Sequence, residues 1–303
     1  MLMSSTRPGL RARARRLRPL AAVLSLALVL CVCASPAAAQ SPRRIIFDTD
    51  PGTDDALALL LALNSPEVRV EAITVVPGNV TGEQGYENAR RLVSFAKRCD
   101  IPVVAGAKRP LAQRLVTAEF VHGANGLGDI ELPASTCPSD ARFAPAVIVE
   151  LIKAHPHEIT LVPIGPLTNI ALALAMDPGI AGLVKEVVIM GGAVTDGNVT
   201  PVAEANIYGD PEAAAAVFSA GWPLTMVGLD VTHKTLFTPA HLAKLQQTKG
   251  PQNDLAARVL AFLIKLEAKF GTTGTPMHDP LAMGVVLDPT FVKTKAMRVD
   301  VEL

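Results

Sequence analysis

Six short apolar runs recur along this chain, each with the length and β-branched content of a strand: "RIIF" from Arg44, "VRVEAITVV" from Val68, "IPVVAGA" from Ile101, "ITLVPIG" from Ile159, "VKEVVIM" from Val184 and "PLTMVGL" from Pro223. Between them lie segments with apolar residues at helical spacing, over Asp54–Leu63, Gly85–Lys97, Pro145–Ala154, Leu167–Met176 and Pro211–Ser219. Strands that are apolar on both faces and alternate with helices predict an α/β fold, a largely parallel sheet covered by helices on both faces. A more helical region follows, from about Pro239 to Gly274. The last residues, "AMRVDVEL", have the alternation of a final strand with nothing after it to close the fold, as though the family of elements continued further.

In such sheets ligands bind where strands end and helices begin, and there the chain concentrates its unusual polar residues. Asp48 and Asp50 follow the first run, Asn79 the second, "IGPLTN" the fourth, "GGAVTDGN" the fifth and Asp230 the sixth. The densest cluster is "RRIIFDTDPGTDDALALLLAL", with Asp48, Asp50, Asp54 and Asp55 inside eight residues. Asp54 and Asp55 sit on the first turn of a helix, where its dipole favours negative charge. That accounts for one pair only. Asp48 and Asp50, two apart on a strand, share a face, and Pro51-Gly52 turns the chain back toward the second pair. Oxygen ligands gathered this way suit Ca²⁺ or Mg²⁺, with further oxygens supplied from elsewhere in the chain.

Composition narrows the field. The 303 residues fit one large domain, and half of them are hydrophobic. Net charge is zero, but residues 1–40 hold six of the 28 basic residues and no acid, which leaves 22 basic against 28 acidic beyond them. That excess of acid argues against a nucleic-acid surface. The Arg-rich start, the apolar run "LAAVLSLALVLCVC" and the small-residue stretch Ala37-Ala38-Ala39 read as a cleaved signal peptide over residues 1–39. The run has 14 residues, short of a membrane span, so the remainder, 40–303, is expected as a single secreted or periplasmic domain without stable membrane insertion. An uncleaved anchor and a lipoprotein are the lesser options, and Arg15-Arg16 hints at twin-arginine export. Cys99 and Cys137 are either a disulfide pair or separate thiols; sequence leaves both open.

The stretch "DTDPGTDDALALLLAL" resembles the N-terminal motif of the inosine-uridine-preferring nucleoside hydrolases. "PGNV", "HGANGLGD", "LVPIGPLTNIALAL", "VIMGGAVTDGNVTPVAEANIYGDPEAA" and "HDPLA" follow in that family's order. The resemblance implies a Rossmann-like sheet with its active site at the C-terminal edge. It also implies hydrolysis of the N-glycosidic bond of ribonucleosides to ribose and base, with a Ca²⁺ that holds the ribose 2′- and 3′-hydroxyls and the attacking water. Matched by motif, Asp50, Asp55, Asp279 and the Ile164 carbonyl would hold the ion, and Asp50 would be the general base. Asp54, Asn198, Glu204 and Asn206 would grip the ribose, Met190 would pack beneath it, and Asn79 would lie near the water. His278 would assist departure of the base, its imidazole pKa suiting the role. The family context further implies nucleoside salvage and a homo-oligomer, a dimer or tetramer.

Other readings stand beside these. His278 also fits a helix cap, and His122, on a Gly-rich loop, fits either the base pocket or an ordinary surface. His155, His157, His233 and His241 read as surface or core residues, and Trp222 as sheet packing. The chain departs from the family pattern at Ala205, where an aromatic residue is usual, and at Asn125, where Asp is common. It also lacks a Tyr on the helix near Leu255–Phe270. An Asp-x-Asp phosphatase of the haloacid dehalogenase type shares the first acidic pair but not the second. A nucleoside-binding protein without turnover is the third reading.

Overall fold

The computed structural model describes residues 41–303, so the expected signal peptide lies outside the described residues. The strands are β1 (Arg43–Thr49), β2 (Val68–Val75), β3 (Val103–Ala105), β4 (Ile159–Pro163), β5 (Glu186–Met190) and β6 (Leu224–Val227). They form one sheet in the order β3-β2-β1-β4-β5-β6, and every neighbouring pair is parallel. This is the α/β architecture the alternation predicts. The chain builds outward to one side from β1 and to the other from β4. The two central strands are therefore the switch point, where a crevice opens at their C-terminal ends. Asp48 pairs with Pro163 across that line.

The helices between the strands are α1 (Thr53–Asn64), α2 (Gly82–Phe95), α3 (Glu119–His122), α4 (Ala144–Ala154), α5 (Thr168–Met176), α6 (Ala205–Gly209) and α7 (Pro211–Phe218). Beyond β6 come α8 (Leu229–Thr232), β7 (Leu236–Phe237), α9 (Pro239–Leu245), α10 (Pro251–Glu267), β8 (Thr275–Pro276) and α11 (His278–Leu287). Alternation along β1 sorts the core into two layers. Ile45 and Phe47 face a cluster supplied by α1, α2, α10 and α11. Ile46 faces the opposite cluster, built from α4, α5 and α7, where Trp222 also packs. Trp222 donates its indole N–H to the Val217 carbonyl at 3.0 Å, so it is a packing residue, as the sequence reading has it.

Two features differ from the sequence expectation. Residues 292–303 form no strand. The alternating segment "AMRVDVEL" pairs with no strand, although β3 and β6 each have one neighbour in the sheet; of its residues only Val301 packs onto the core, against the second cluster. An antiparallel pairing of β7 with β8 also appears. It is two residues long on each side and so carries no alternation to read. Cys99 and Cys137 are joined in a disulfide, Cα atoms 5.0 Å apart. It ties the irregular segment after α3 to the end of α2. Among the described residues no helix is long and apolar enough to cross a membrane.

Candidate active site

The site is assembled at the C-terminal ends of β1 and β4. β1 delivers Asp48 and Asp50 from a buried strand, and the Pro51-Gly52 turn leads directly into α1, which presents Asp54 and Asp55. Asp55 closes the turn on itself. It accepts from Thr49 Oγ1 at 2.6 Å, the Asp50 N–H at 3.2 Å, the Gly52 N–H at 2.9 Å and Asn79 Nδ2 at 2.8 Å. Its bond to Gly52 caps α1, so part of the reason for this residue is helix stability. Asn79 spans the pair of acids, because its own N–H donates to Asp50 Oδ2 at 2.8 Å. The sequence places Asn79 here, and the structure does too.

Asp48 lies beneath the cluster. Its Oδ1 accepts from Thr74 Oγ1 at 2.5 Å and from Asn169 Nδ2 at 2.8 Å. Asn169 also receives the Ala107 N–H at 2.9 Å, so one buried amide locks β1, β2 and the segment after β3 together. Burial pushes the Asp48 carboxyl up to about 7, against the pull of those two donors. Asp48 thus supports the loop from below.

Asp279 arrives on the first turn of α11, more than two hundred residues later. Carboxylate oxygens of Asp54, Asp55 and Asp279 lie within 4.8 Å of one another, an arrangement that could hold a metal ion. Asp54 belongs to this trio, although the motif match puts it on the ribose. Asp50 stands outside it, with Oδ2 engaged by Asn79. The acids raise one another's pKa. Burial and then the Asp55 charge push Asp50 well up; burial and then Asp54 push Asp55 up. Asp279 is driven well above the carboxylate range by burial, then by Asp54, Asp55, Asp50 and Glu204. Asp50 Oδ1 and Asp54 Oδ1 are buried with no hydrogen-bond partner. Orphaned oxygens in a crowd of like charges are what a divalent cation would relieve. The donors are all oxygen, which fits a hard ion rather than zinc.

On the β5 side, Glu204 caps α6. Its Oε1 accepts from the Asn206 N–H at 2.9 Å, and its Oε2 from the Gly192 and Ile207 N–H groups, both at 3.0 Å. Burial raises its pKa despite these three donors. Asn206 Nδ2 reaches the Ile164 carbonyl at 2.8 Å and the Met190 carbonyl at 3.1 Å, so the side chains expected on the sugar and the carbonyl expected on the ion are in direct contact. Asn198 Oδ1 accepts the Ala205 N–H at 2.9 Å, which shapes the loop before α6. Asp230 fixes the start of that loop through the Val194 N–H at 2.6 Å.

The profile of the family described as inosine-uridine preferring nucleoside hydrolase matches residues 45–303. The chain belongs to that family. A nucleoside hydrolase of Leishmania major, named inosine-uridine preferring, is 43% identical over 264 residues, covering 86% of this chain and 84% of that one. A pyrimidine-specific ribonucleoside hydrolase of Escherichia coli is 38% identical over 262 residues, covering 86% and 83%. The solved structure of a purine-preferring ribonucleoside hydrolase from Gardnerella vaginalis superposes with a TM-score of 0.83 at 36% identity, covering 86% and 84%. The nucleoside hydrolase is therefore an enzyme that cleaves N-glycosidic bonds, and its relatives differ in the base they are named for.

Of the two readings of His122, base pocket or ordinary surface, the structure removes the second, because His122 is buried. Its Nδ1 receives the Thr53 N–H at 3.2 Å and lies 2.8 Å from Thr53 Oγ1, so it helps cap α1. The same Nδ1 lies 3.7 Å from Asp54 Oδ1. His278 contacts Thr232 Oγ1 through Nδ1 at 2.8 Å. Burial, then His233 and His122, hold its pKa down to about 4, so at neutral pH it is an uncharged imidazole that can donate one N–H. The sequence reading of an imidazole pKa suited to proton transfer missed the burial and the two histidine neighbours, of which His233 packs edge-on at 5.6 Å between ring centroids.

Glycines complete the nucleoside hydrolase site, and motif matching does not single them out as site residues. A Cβ at Gly78 would strike Asp50 Oδ2 and one at Gly165 would strike Asp50 Oδ1, so the general-base candidate is clasped between two bare backbones. Gly165→Ala should keep the fold, since the clash falls on one side chain, and lower kcat roughly hundredfold through a displacement of about an ångström. Circular dichroism alongside ribose release would check it; unaltered kcat would mean that Asp50 has room to move.

Proposed function

We propose that this nucleoside hydrolase is a Ca²⁺-dependent ribonucleoside N-ribohydrolase, exported through residues 1–39, that scavenges nucleosides outside the cytoplasm as a homo-oligomer. The observation that carries the reading is the buried acidic cluster with partnerless oxygens on Asp50 and Asp54, set against the polar wall of Glu204 and Asn206. Asp50, Asp55, Asp279 and the Ile164 carbonyl would hold the ion, with Asp54 in reach. Bound there, calcium would anchor sugar hydroxyls and make water easier to deprotonate.

The chain's own groups do the rest. Asp50, kept basic by burial and by Asp55, takes the proton of the attacking water, and Asn79 keeps Asp50 and Asp55 in register. Asp54, Asn198, Glu204 and Asn206 hold the ribose over Met190. Positive charge grows on the sugar as the base departs, as in other glycoside hydrolysis, and the surrounding carboxylates stabilise it in a site that excludes water. His278 gives an N–H to the departing base, and His122, with Nδ1 spent on Thr53, would offer Nε2–H beside it.

The deciding experiment measures free ribose released from inosine, uridine and adenosine, with and without a calcium chelator. Release that chelation abolishes and calcium restores supports the reading, and the order of the three substrates gives the base class. No release from folded, calcium-loaded protein would sink it. His278→Ala should leave calcium binding intact and cut turnover of inosine by roughly 10²-fold or more. It should spare a nitrophenyl riboside, whose leaving group needs no proton. Equal loss on both substrates would remove His278 from the leaving-group role.

A further inference from the structure

We propose that Thr232 is a positioning residue for this reaction, whose hydroxyl donates to Nδ1 of His278 and so fixes the tautomer that carries its proton on Nε2. The inference rests on the leaving-group role of His278 proposed above. It concerns a residue outside the motifs that carry the family resemblance in the sequence.

Three observations carry it. Thr232 is fully buried, and among the described residues its hydroxyl makes one hydrogen bond, to His278 Nδ1 at 2.8 Å. A buried O–H with a single neighbour does best by donating, because an unused proton costs more than an unused lone pair. Nδ1 is then an acceptor and Nε2 bears the hydrogen. Second, the two residues ride on one backbone scaffold. The Thr232 N–H is tied to the Gly228 carbonyl, and the Met277 N–H to the Thr235 carbonyl at 2.9 Å. β7 pairs with β8 immediately before His278. The neighbouring Thr235 hydroxyl is already committed, to the Val231 carbonyl at 3.2 Å, so it does not compete. Third, His233 lies edge-on to the His278 ring, 5.6 Å between centroids with an interplanar angle of 68°, and packs against the ring in the orientation that turns Nδ1 to Thr232. A neutral histidine can present either a donor or an acceptor to a departing base, and only the donor helps it leave. Thr232 makes that choice.

The test compares Thr232→Val, which keeps shape and removes the hydroxyl, with Thr232→Ser, which keeps it. Both are made in the calcium-loaded enzyme and assayed on inosine and on a nitrophenyl riboside. Thr232→Val should lower kcat on inosine by about tenfold or more while KM moves less than about threefold, and leave the nitrophenyl substrate within about twofold. Thr232→Ser should recover most of the inosine rate. Nitrogen-15 NMR of the histidine side chains should show His278 protonated on Nε2 in the native enzyme and in Thr232→Ser. Loss of both substrates alike, no loss on either, or a native His278 protonated on Nδ1 would overturn the proposal. If Thr232→Val does not fold, the NMR tautomer and the Ser variant still decide. A His278→Ala enzyme that loses inosine turnover selectively, beside a Thr232→Val enzyme that does not, would overturn this inference alone. A His278→Ala enzyme that loses both substrates equally would overturn the leaving-group role beneath it.

Discussion

Asp50→Asn should lower kcat for ribonucleoside hydrolysis by on the order of 10⁴-fold and leave the protein folded. The substitution is nearly isosteric, and the amide oxygen can still accept the Asn79 N–H that Asp50 Oδ2 accepts at 2.8 Å. What disappears is the carboxylate proposed as acceptor for the water's proton and as one ligand of the ion. The same change takes one negative charge out of a buried group in which burial raises the pKa of Asp50, Asp55 and Asp279, and in which the Asp50 charge adds to the rise at Asp279. In the absence of calcium the variant should therefore melt higher than the native chain at pH 8. Activity and stability moving in opposite directions would separate a chemical role from a structural one. A variant that keeps more than about a tenth of native kcat would exclude Asp50 as the base.

Stripping the cation should reverse the usual pH dependence of stability. Asp48, Asp50, Asp55, Asp279 and Glu204 all have folded pKa values above their ordinary range, Asp48 at about 7. Between roughly pH 4, where unfolded carboxylic acids titrate, and those raised values, the folded chain holds protons the unfolded chain has lost. Stability then falls as pH rises, by about 1.4 kcal/mol per pH unit for each proton so held. A bound cation keeps the coordinating carboxylates ionised and removes their share of the slope. The surface acids Asp100 and Asp140, held low by Arg98 and Arg142, work in the other direction but are exposed and screened. Thermal melts of chelated protein from pH 5 to pH 8 should show a falling Tm, and calcium should flatten or invert the trend. A chelated protein whose Tm rises across that range would mean that the acids are ionised without an ion.

Most of the architecture was legible because it is carried by long-range repetition. Six apolar runs and the helices between them state an α/β sheet, and parallel strands follow from runs with no polar face. The acidic cluster was legible because four aspartates beside a strand have no cheap structural explanation. Less could be read where one residue does its work through a distant partner. Asn169 sits in an apolar helix and shows nothing local of its bond to Asp48. Thr232 and His233 lie in a short polar stretch, and only the chain's return at Met277 brings them to His278. The pKa of His278 is lowered first by burial and then by His233 and His122, none of which a lone imidazole in the sequence shows. The terminal "AMRVDVEL" failed for a related reason: alternation describes a strand's faces but not whether the segment is brought alongside a sheet edge, and here it pairs with neither β3 nor β6.

Asp50 and Asp55, Ile164 and Asp279, the residues proposed to hold the ion, come from three places along the chain and meet only when β1 with α1, β4 and α11 are all docked. No partial fold contains the ion site, least of all a chain still emerging from its synthesis with residue 279 not yet made. A cation bound there would therefore not seed folding. It would act on the finished molecule, slowing its unfolding while leaving the rate of folding nearly unchanged, so its presence in the surroundings would set how long the enzyme lasts rather than how quickly it forms.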